Sequence, residues 1–259
     1  MKVIRLIVTA VVLVLAWGLI AWGLDLPRFI LPSPLAVLKT TLTKYDIILG
    51  HALTTALEIF LGLVLGVSLG CLSALIISAN RGIKRWIMPV LIASQAIPVF
   101  AIAPLLVLWF DYGITSKVVM ATLIIYFPVT VSFLDGLNRT DPAWLDMATL
   151  MQQGGSPSRL LKAYRLYRYI KIPFALPSLA SGLRVATAVA PIGAVVGEWV
   201  GSSSGLGYLM LHANGRMQTD LMFAALLVLA FMAISLFYLV DYVLRLALRW
   251  QPDQHSVYD

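Results

Sequence analysis

The sequence predicts an all-α, polytopic membrane protein with six transmembrane helices. Apolar residues make up 60% of the 259 residues and charged residues only 12%, with a mean hydropathy of +0.91. Soluble domains carry about a quarter charged residues, so a soluble fold of this composition would lack a polar surface. The net charge of +7 does not indicate nucleic-acid binding, because the basic residues border the apolar stretches as membrane flanks do.

Six apolar stretches are each long enough to cross about 30 Å of hydrocarbon as an α-helix. The predicted spans are residues 4–24, 54–78, 86–110, 114–137, 174–200 and 221–248. The first span has the basic start of a signal peptide, but its length, together with Trp17 and Trp22 near its end, favours an uncleaved helix with an interfacial anchor. Together the spans predict one transmembrane domain over residues 1–259.

The distribution of basic residues predicts the orientation of the bundle. If the N-terminus faces the cytoplasm, thirteen basic residues lie on the inner side, five lie on the outer side, and Arg184 lies within a span. Inner loops of membrane proteins carry an excess of lysine and arginine. We therefore expect both termini to be cytoplasmic.

The connections between the spans are mostly short. Residues 25–53 form an outer connection, in which residues 35–49 have the spacing of a short helix lying on the membrane. Tight turns at residues 80–82 and 111–113 join the second, third and fourth spans. Three prolines predict kinks in the third span, either as fixed curvature or as a hinge in a helix that lines a pathway. They are Pro89, Pro98 and Pro104.

The second span carries a readable packing face. Glu58, Gly62, Gly66 and Gly70 recur every four residues and therefore stack on one side of a helix. Glycines at this spacing let another backbone approach closely, so Glu58 is expected to face protein rather than lipid. Its carboxyl group is either solvated near the outer interface or part of a translocation pathway. Glu198 lies at a similar depth, at the outer end of the fifth span.

Other polar residues lie deeper in the predicted membrane region. Gln95 falls midway along the third span, Arg184 lies two to three turns into the fifth, and Asp135 lies near the inner end of the fourth. Charged residues within spans are functional candidates by default. Arg184 and Asp135 form a structural pair on one interpretation; on the other, Arg184 lines the pathway. The candidate pathway residues are Gln95, Arg184, Glu58 and Glu198.

The inner connection at residues 139–172 is too long and too regular to be a plain linker. Asp141-Pro142 predicts the start of a first helix, and Gly154-Gly155 predicts its end. Ser156-Pro157 predicts the start of a second helix. We expect Pro173 and Pro177 to end the second helix before the fifth span. The basic residues of this loop fit either an anchor on anionic lipid or a docking element for a soluble partner. The two-helix shape favours docking.

The sequence contains no recognisable catalytic set. It has no G-x-x-x-x-G-K-[ST] loop, no H-E-x-x-H and no G-x-S-x-G. The three histidines are isolated and Cys71 is alone, which leaves no metal-ligand spacing and no internal disulfide. We therefore predict that the chain is not an enzyme, and that transport would draw energy from an ion gradient or from a partner. The acidic residues lie toward the span ends, which favours a partner.

Several motifs along the chain resemble one family. They are Gln95–Pro98, Ala103–Leu105, Tyr126–Pro128, Ile170–Pro177, Gly182–Arg184 and Gly201–Tyr208. Together they resemble the permease subunits of binding-protein-dependent ABC importers, in the branch that moves nitrate, sulfonates, taurine and thiamine precursors. Residues 197–214 are most similar to the members that move the pyrimidine precursor of thiamine.

The resemblance implies a type I importer bundle in the bacterial inner membrane and a homodimer of such chains. It also implies two cytoplasmic ATPase subunits that bind ATP and Mg, and a periplasmic or lipid-anchored solute-binding protein. No cofactor in this chain and no nucleic-acid partner are expected. Residues 144–169 would form the coupling helix that docks on the ATPase. The implied ATPase-coupling residues are Trp144, Asp146, Ala148, Gly154, Gly155, Ser156 and Arg159.

The function implied is translocation of a small polar nutrient, a hydroxymethylpyrimidine-type thiamine precursor. The alternatives are a taurine, alkanesulfonate or nitrate importer of the same class, or an ion-coupled secondary carrier. The chain departs from the family pattern in the loop. The Glu-Ala-Ala core reads Asp146-Met147-Ala148, and the spacing from Gly155 to Ile170 is longer by about one helical turn. Asp111 stands where glycine is common.

Overall fold

The computed structural model describes residues 2–24, 27–151 and 158–250, and these residues form α-helices and one π-helical segment, with no strand among them. The helices are α1 (Lys2–Gly23), α2 (Pro34–Thr43), α3 (Tyr45–Ala79), α4 (Arg81–Ala96), α5 (Val99–Phe110), α6 (Ile114–Asn138), α7 (Pro142–Met151), α8 (Arg159–Leu166), α9 (Ile172–Gly201), α10 (Leu206–Gly215) and α11 (Thr219–Ala247). The π-helical segment, Tyr167–Lys171, joins α8 to α9. The predicted all-α membrane fold is confirmed.

The part of the chain that the structure describes does not confirm all six predicted membrane-crossing helices. In the part of the chain described, α3, α6, α11 and the continuous helix Leu161–Gly201 are each long and apolar enough to cross a bilayer. A fifth span results if α4 and α5 are counted as one bent pair. In the part of α1 whose side chains are described, Val11–Gly23 forms an apolar helix shorter than the other four. The count of six is therefore not confirmed.

The third predicted span is broken rather than gently kinked. The axes of α4 and α5 differ by 98° across a short break. Ile97 is extended (φ −89°, ψ 117°), and Pro98 precedes the first residue of α5. Proline disfavours helical backbone at the residue before it and donates no hydrogen bond itself, so the helix ends there. Pro89 and Pro104 lie inside α4 and α5 and do not end them.

The prediction that Pro173 and Pro177 end the loop helix is wrong. The helix continues without interruption from Leu161 to Gly201. Just before Pro173, the N–H of Ile172 donates to the carbonyl of Tyr167, five residues back. This wider π turn relieves the clash that a prolyl ring has with the carbonyl one α-turn earlier. The second loop helix, α8, is therefore continuous with α9.

The turn between α5 and α6 explains why glycine is common at position 111. Asp111 has φ 65° and ψ 174°, a positive-φ conformation that glycine adopts at least cost. Its carboxylate accepts a hydrogen bond from the N–H of Tyr112 at 2.7 Å. Aspartate is one of the residues that tolerate positive φ, because its short side chain bonds locally.

The centre of the bundle is α6, packed between α3 and α9. A Cβ atom added at Gly62 would lie 2.5 Å from the Cβ of Ala121, and one at Gly66 would lie 2.6 Å from Cγ2 of Ile125. Gly70 lies in the same way against Val129. The glycine face of α3 thus packs on α6. A second glycine approach comes from α9, where a Cβ at position 193 would lie 2.7 Å from the Cα of Ala121.

The two ends of the bundle have different chemistry. At one end, which we call the α10 end, the first turns of α3 and α6 meet the last turn of α9 and the start of α10 around buried polar groups. At the other, the loop end, the last residues of α3 and α6 meet α4, α7 and the π-helical segment around a cavity.

Candidate functional site

A buried carboxylate caps α10 at the α10 end. The first N–H groups of any helix have no partner within the helix. Here the N–H of Gly207 donates to Oε2 of Glu198 at 2.5 Å, and the N–H of Tyr208 donates to the same atom at 3.3 Å. Gly205 precedes α10 with φ 107°, a conformation that L side chains rarely adopt. The turn at Gly205 therefore directs the positive end of α10 at Glu198, where a negative charge is stabilising.

Two residues of α3 complete this capping network. The N–H of Leu206 donates to Oγ1 of Thr55 at 2.8 Å, and the Thr55 hydroxyl donates to Oε1 of Glu198 at 2.5 Å. The N–H of Gly205 donates to Nδ1 of His51 at 3.0 Å, so that nitrogen carries no proton. We define the capping network as His51, Thr55, Glu198 and the N–H groups of residues 205–208. The network joins α3, α9 and α10 at one end of the bundle.

A buried ion pair lies beside the capping network. Lys117, near the start of α6, places its Nζ 3.7 Å from Oε1 of Glu58, and the two residues are 4% and 0% exposed. Neither oxygen of Glu58 has a hydrogen-bond partner within the described residues. Interfacial solvation of Glu58 is thereby excluded, because the carboxyl group is enclosed by protein. Two carboxylates, Glu58 and Glu198, share one buried end of the bundle with one ammonium group.

The four candidate pathway residues do not form one cluster. Glu58 and Glu198 are together at the α10 end, whereas Arg184 and Gln95 lie elsewhere. Gln95 is in the last turn of α4, where its side chain is exposed and donates to Oγ of Ser94 at 3.4 Å. In this single chain Gln95 therefore faces away from the bundle.

The predicted pair of Arg184 with Asp135 is wrong. Nε of Arg184 donates to Oδ1 of Asp241 at 2.7 Å, and Nε of Arg245 donates to Oδ2 of Asp241 at 2.8 Å. This bridge ties α9 to α11. Asp135 instead forms an exposed pair with Arg139, one turn along the same helix, at 3.4 Å. Side chains four residues apart on a helix are close enough to form an ion pair, which explains why Asp135 pairs with Arg139.

Sequence reasoning missed Lys117, Thr55, His51 and Asp241 as members of these networks. Lys117 is one of the five basic residues counted on the outer side although it lies within the predicted span 114–137, and in the structure it is buried in the first turn of α6. Asp241 had a usable signal, since an acidic residue inside the last apolar span is costly unless paired. Thr55 and His51 had none, because their partners lie more than 140 residues away in the chain.

The predicted docking loop presents an apolar stripe on α7. Trp144, Met147 and Leu150 recur every three residues and are 50%, 44% and 65% exposed. Asp146 is also exposed, whereas Ala148 is buried against the bundle. Arg159 is the first residue of α8. Three of the implied coupling residues lie outside the described part of the chain: Gly154, Gly155 and Ser156.

These features define a class of protein. A helical membrane bundle that carries an exposed helical elbow, continuous with one of its central helices, has the parts of a transporter subunit that works with a soluble partner. Residues 62–250 match the family model described as a binding-protein-dependent transport system inner membrane component. The chain belongs to this family.

Similar proteins agree with this assignment. A probable ABC transporter permease protein of Haemophilus influenzae is 54% identical over 234 residues, which cover 90% of this chain and 92% of that protein. The formylaminopyrimidine transport permease protein ThiX of Halalkalibacterium halodurans is 35% identical over 243 residues, 93% of this chain and 94% of that protein. The riboflavin transport system permease protein RibX of Chloroflexus aurantiacus is 35% identical over 246 residues, 94% of this chain and 89% of that protein.

The family settles several predictions made from the sequence. The chain is a permease subunit of an ABC importer and a component of the inner membrane, and it works with an ATPase and a solute-binding protein. As a permease component it is not itself an enzyme. The alternative of an ion-coupled secondary carrier is therefore wrong.

Proposed function

We propose that two copies of this chain form the pathway for a hydroxymethylpyrimidine-type thiamine precursor. The observation that carries the solute class is the relative ThiX, named for formylaminopyrimidine, which aligns with 93% of this chain. A relative of equal identity is named for riboflavin, so overall identity alone does not select the pyrimidine. Selectivity in this proposal comes from the partner binding protein, with the pathway accepting a small polar ring.

The paired charges argue against the anionic alternatives, taurine, alkanesulfonates and nitrate. A pathway for an anion needs an available cation. In the central helices α6 and α9, the buried or half-buried cations Lys117 and Arg184 are already paired, Lys117 with Glu58 and Arg184 with Asp241. A neutral ring would require no such cation.

The orientation proposed places the loop end in the cytoplasm. The positive-inside count puts α7 and α8 on that side, and the capping network then faces outward. ATP and Mg bind the partner ATPase, and α7 with α8 docks in a cleft of that subunit. Because α8 continues through the π-helical segment into α9, a push on the loop is transmitted directly to the central helices α9 and α6.

The exposed stripe on α7 is the surface that we assign to ATPase contact. Apolar side chains at helical spacing that remain exposed next to water mark an interaction site. Trp144 is central to the assignment, because tryptophan is enriched among residues that dominate binding energy. In the ATPase-docked state its indole would be buried in the cleft.

The test is reconstitution of the chain in liposomes with its ATPase and its binding protein. Binding protein loaded with labelled hydroxymethylpyrimidine should stimulate ATP hydrolysis and drive uptake, while taurine, nitrate and riboflavin should not. Trp144→Ala should lower stimulated hydrolysis and uptake together, and Trp22→Ala, an exposed tryptophan outside the loop, serves as the matched control. Stimulation by taurine rather than the pyrimidine would overturn the solute proposal. Full coupling in the Trp144 variant would overturn the docking surface.

A further inference from the structure

A partly enclosed cavity of about 200 Å³ lies at the loop end of the bundle. It lies where the last turn of α3, the start of α4, the end of α6 and the π-helical segment come together, with α7 on one side. Polar groups line most of it: Ser78, Lys84, Asn138, Thr140 and Lys171. A cavity with this many donors is a site for a polar occupant rather than an empty packing defect.

The charge of this cavity is positive and unbalanced. Among the described residues, the two charged ones that line it, Lys84 and Lys171, are lysines, and none contributes a carboxylate. Neither lysine forms an ion pair within the ranges that the structure describes. Two ammonium groups facing one small space repel each other, and a bound anion would relieve that repulsion.

One wall of the cavity is held in place by its own contacts. The hydroxyl groups of Tyr167 and Ser78 are hydrogen-bonded at 3.1 Å, which ties the π-helical segment to α3. Nζ of Lys171 lies 4.9 Å from the centroid of the Tyr167 ring. This cation–π contact orients the ammonium group without neutralising it. Lys171 is thus positioned before any ligand binds.

We propose that this cavity binds the phosphate of an anionic phospholipid of the inner leaflet. The proposal rests on the orientation given under the proposed function, because only then does the cavity face the anionic cytoplasmic leaflet. The ligands would be the two ammonium groups together with the hydroxyl and amide groups of the wall. Basic pockets between helices on this side of a membrane are suited to acidic head groups.

A lipid is favoured over free phosphate by the surface next to the cavity. From Lys84, α4 continues into exposed apolar residues, with Trp86 at 80% and Val90 at 67% exposure. An acyl chain attached to the bound phosphate would lie along this helix. Exposed tryptophan is enriched at the level of the head groups, which places Trp86 at the expected depth.

The test measures lipid binding to the complete purified chain in a neutral detergent, without its partners. The probes are phosphatidylglycerol, phosphatidylcholine and inorganic phosphate, and the readouts are the midpoint of thermal unfolding and the lipid retained by native mass spectrometry. Phosphatidylglycerol should raise the midpoint, and the other two should not. Each of Lys84→Gln and Lys171→Gln should weaken phosphatidylglycerol binding about fivefold, the effect of one basic residue near an anionic surface.

Matched variants separate binding from folding. Lys39→Gln makes the same change at an exposed position on α2 and should leave lipid affinity unchanged. Lys84→Arg keeps the charge and should retain binding even where Lys84→Gln folds poorly. Equal stabilisation by inorganic phosphate would overturn the lipid assignment. Unchanged lipid affinity in both glutamine variants would overturn the proposal. Because no transport is measured, a negative result here is distinguishable from failure of the proposed function.

Discussion

Replacing Lys117 with methionine removes the cation next to two buried carboxylates while nearly conserving side-chain volume. At 3.7 Å and an effective dielectric constant of 20, the Coulomb attraction between Lys117 and an ionised Glu58 carboxylate is about 4.5 kcal/mol, before the cost of desolvating both groups is subtracted. Breaking a buried pair by removing one partner costs about 3–5 kcal/mol, since the other charge stays buried without compensation. We therefore expect the variant to lose about 3–5 kcal/mol of unfolding free energy, a large part of the total stability of a typical domain.

The assay is equilibrium unfolding of the purified chain in mixed micelles, followed by circular dichroism. The double variant Lys117→Met/Glu58→Gln should recover at least half of the loss, because the uncompensated carboxylate is then gone. Where the single variant is too unstable to purify, folded yield by size-exclusion chromatography gives the same comparison. Lys39→Met, at an exposed position, is the control. A loss below about 1 kcal/mol, the range of exposed pairs, or no recovery in the double variant would refute the reasoning.

Three further predictions concern packing and charge elsewhere in the bundle. Gly193→Ala should lower the unfolding free energy by about 1–3 kcal/mol in the same assay, because the added Cβ would collide with the backbone of α6. The control is Gly50→Ala, where an added Cβ has no neighbour within 4 Å, and this change should be neutral or slightly stabilising. Asp241→Ala should lower the unfolding free energy by about 1–3 kcal/mol, because the guanidinium groups of Arg184 and Arg245 lose their shared acceptor. Asp135→Ala, which removes an exposed ion pair, should cost less than about 0.5 kcal/mol. Equal losses in the two variants would contradict a stabilising role for the bridge between α9 and α11. Gly205→Ala should separate the start of α10 from Glu198, because the backbone at position 205 has positive φ and the added Cβ would collide with the Glu198 carboxyl group. Amide hydrogen exchange of residues 205–208 should then become faster. Unchanged protection of these amides would count against the capping network.

Some of the site was readable from spacing alone. The four-residue repeat of Gly62, Gly66 and Gly70 placed Glu58 on a protein-facing side, and the structure places these glycines against α6. Such a face is encoded in local periodicity, because residues four apart on a helix are neighbours whatever the rest of the fold does. The same logic identified the loop helices, although their boundaries differ and part of the loop lies outside the described residues.

Other features depended on partners that are distant in the chain. The charge of Arg184 was visible as an intramembrane cation, but the predicted partner was Asp135, and only the packing of α11 against α9 selects Asp241. Lys117 lies within the predicted span 114–137, but hydropathy does not show that its side chain is covered by α3 and paired with Glu58. Whether each proline would end its helix was also not readable from the sequence, because the outcome depends on the local backbone geometry. Pro98 breaks a helix and Pro173 does not, since the π turn before Pro173 provides room that no composition rule predicts.

Composition by itself determined that this chain spans a bilayer as α-helices. Backbone N–H and C=O groups must be hydrogen-bonded within the hydrocarbon region, and the apolar segments are long enough to cross it. Its motifs also determined the family. Tertiary structure alone decided which charges compensate one another, how α8 runs into α9, and where two lysines enclose a cavity. The physical reason is distance along the sequence. Hydropathy and helix periodicity report on residues within a few helical turns, whereas these pairs join residues that are brought together only when α3, α6, α9 and α11 pack.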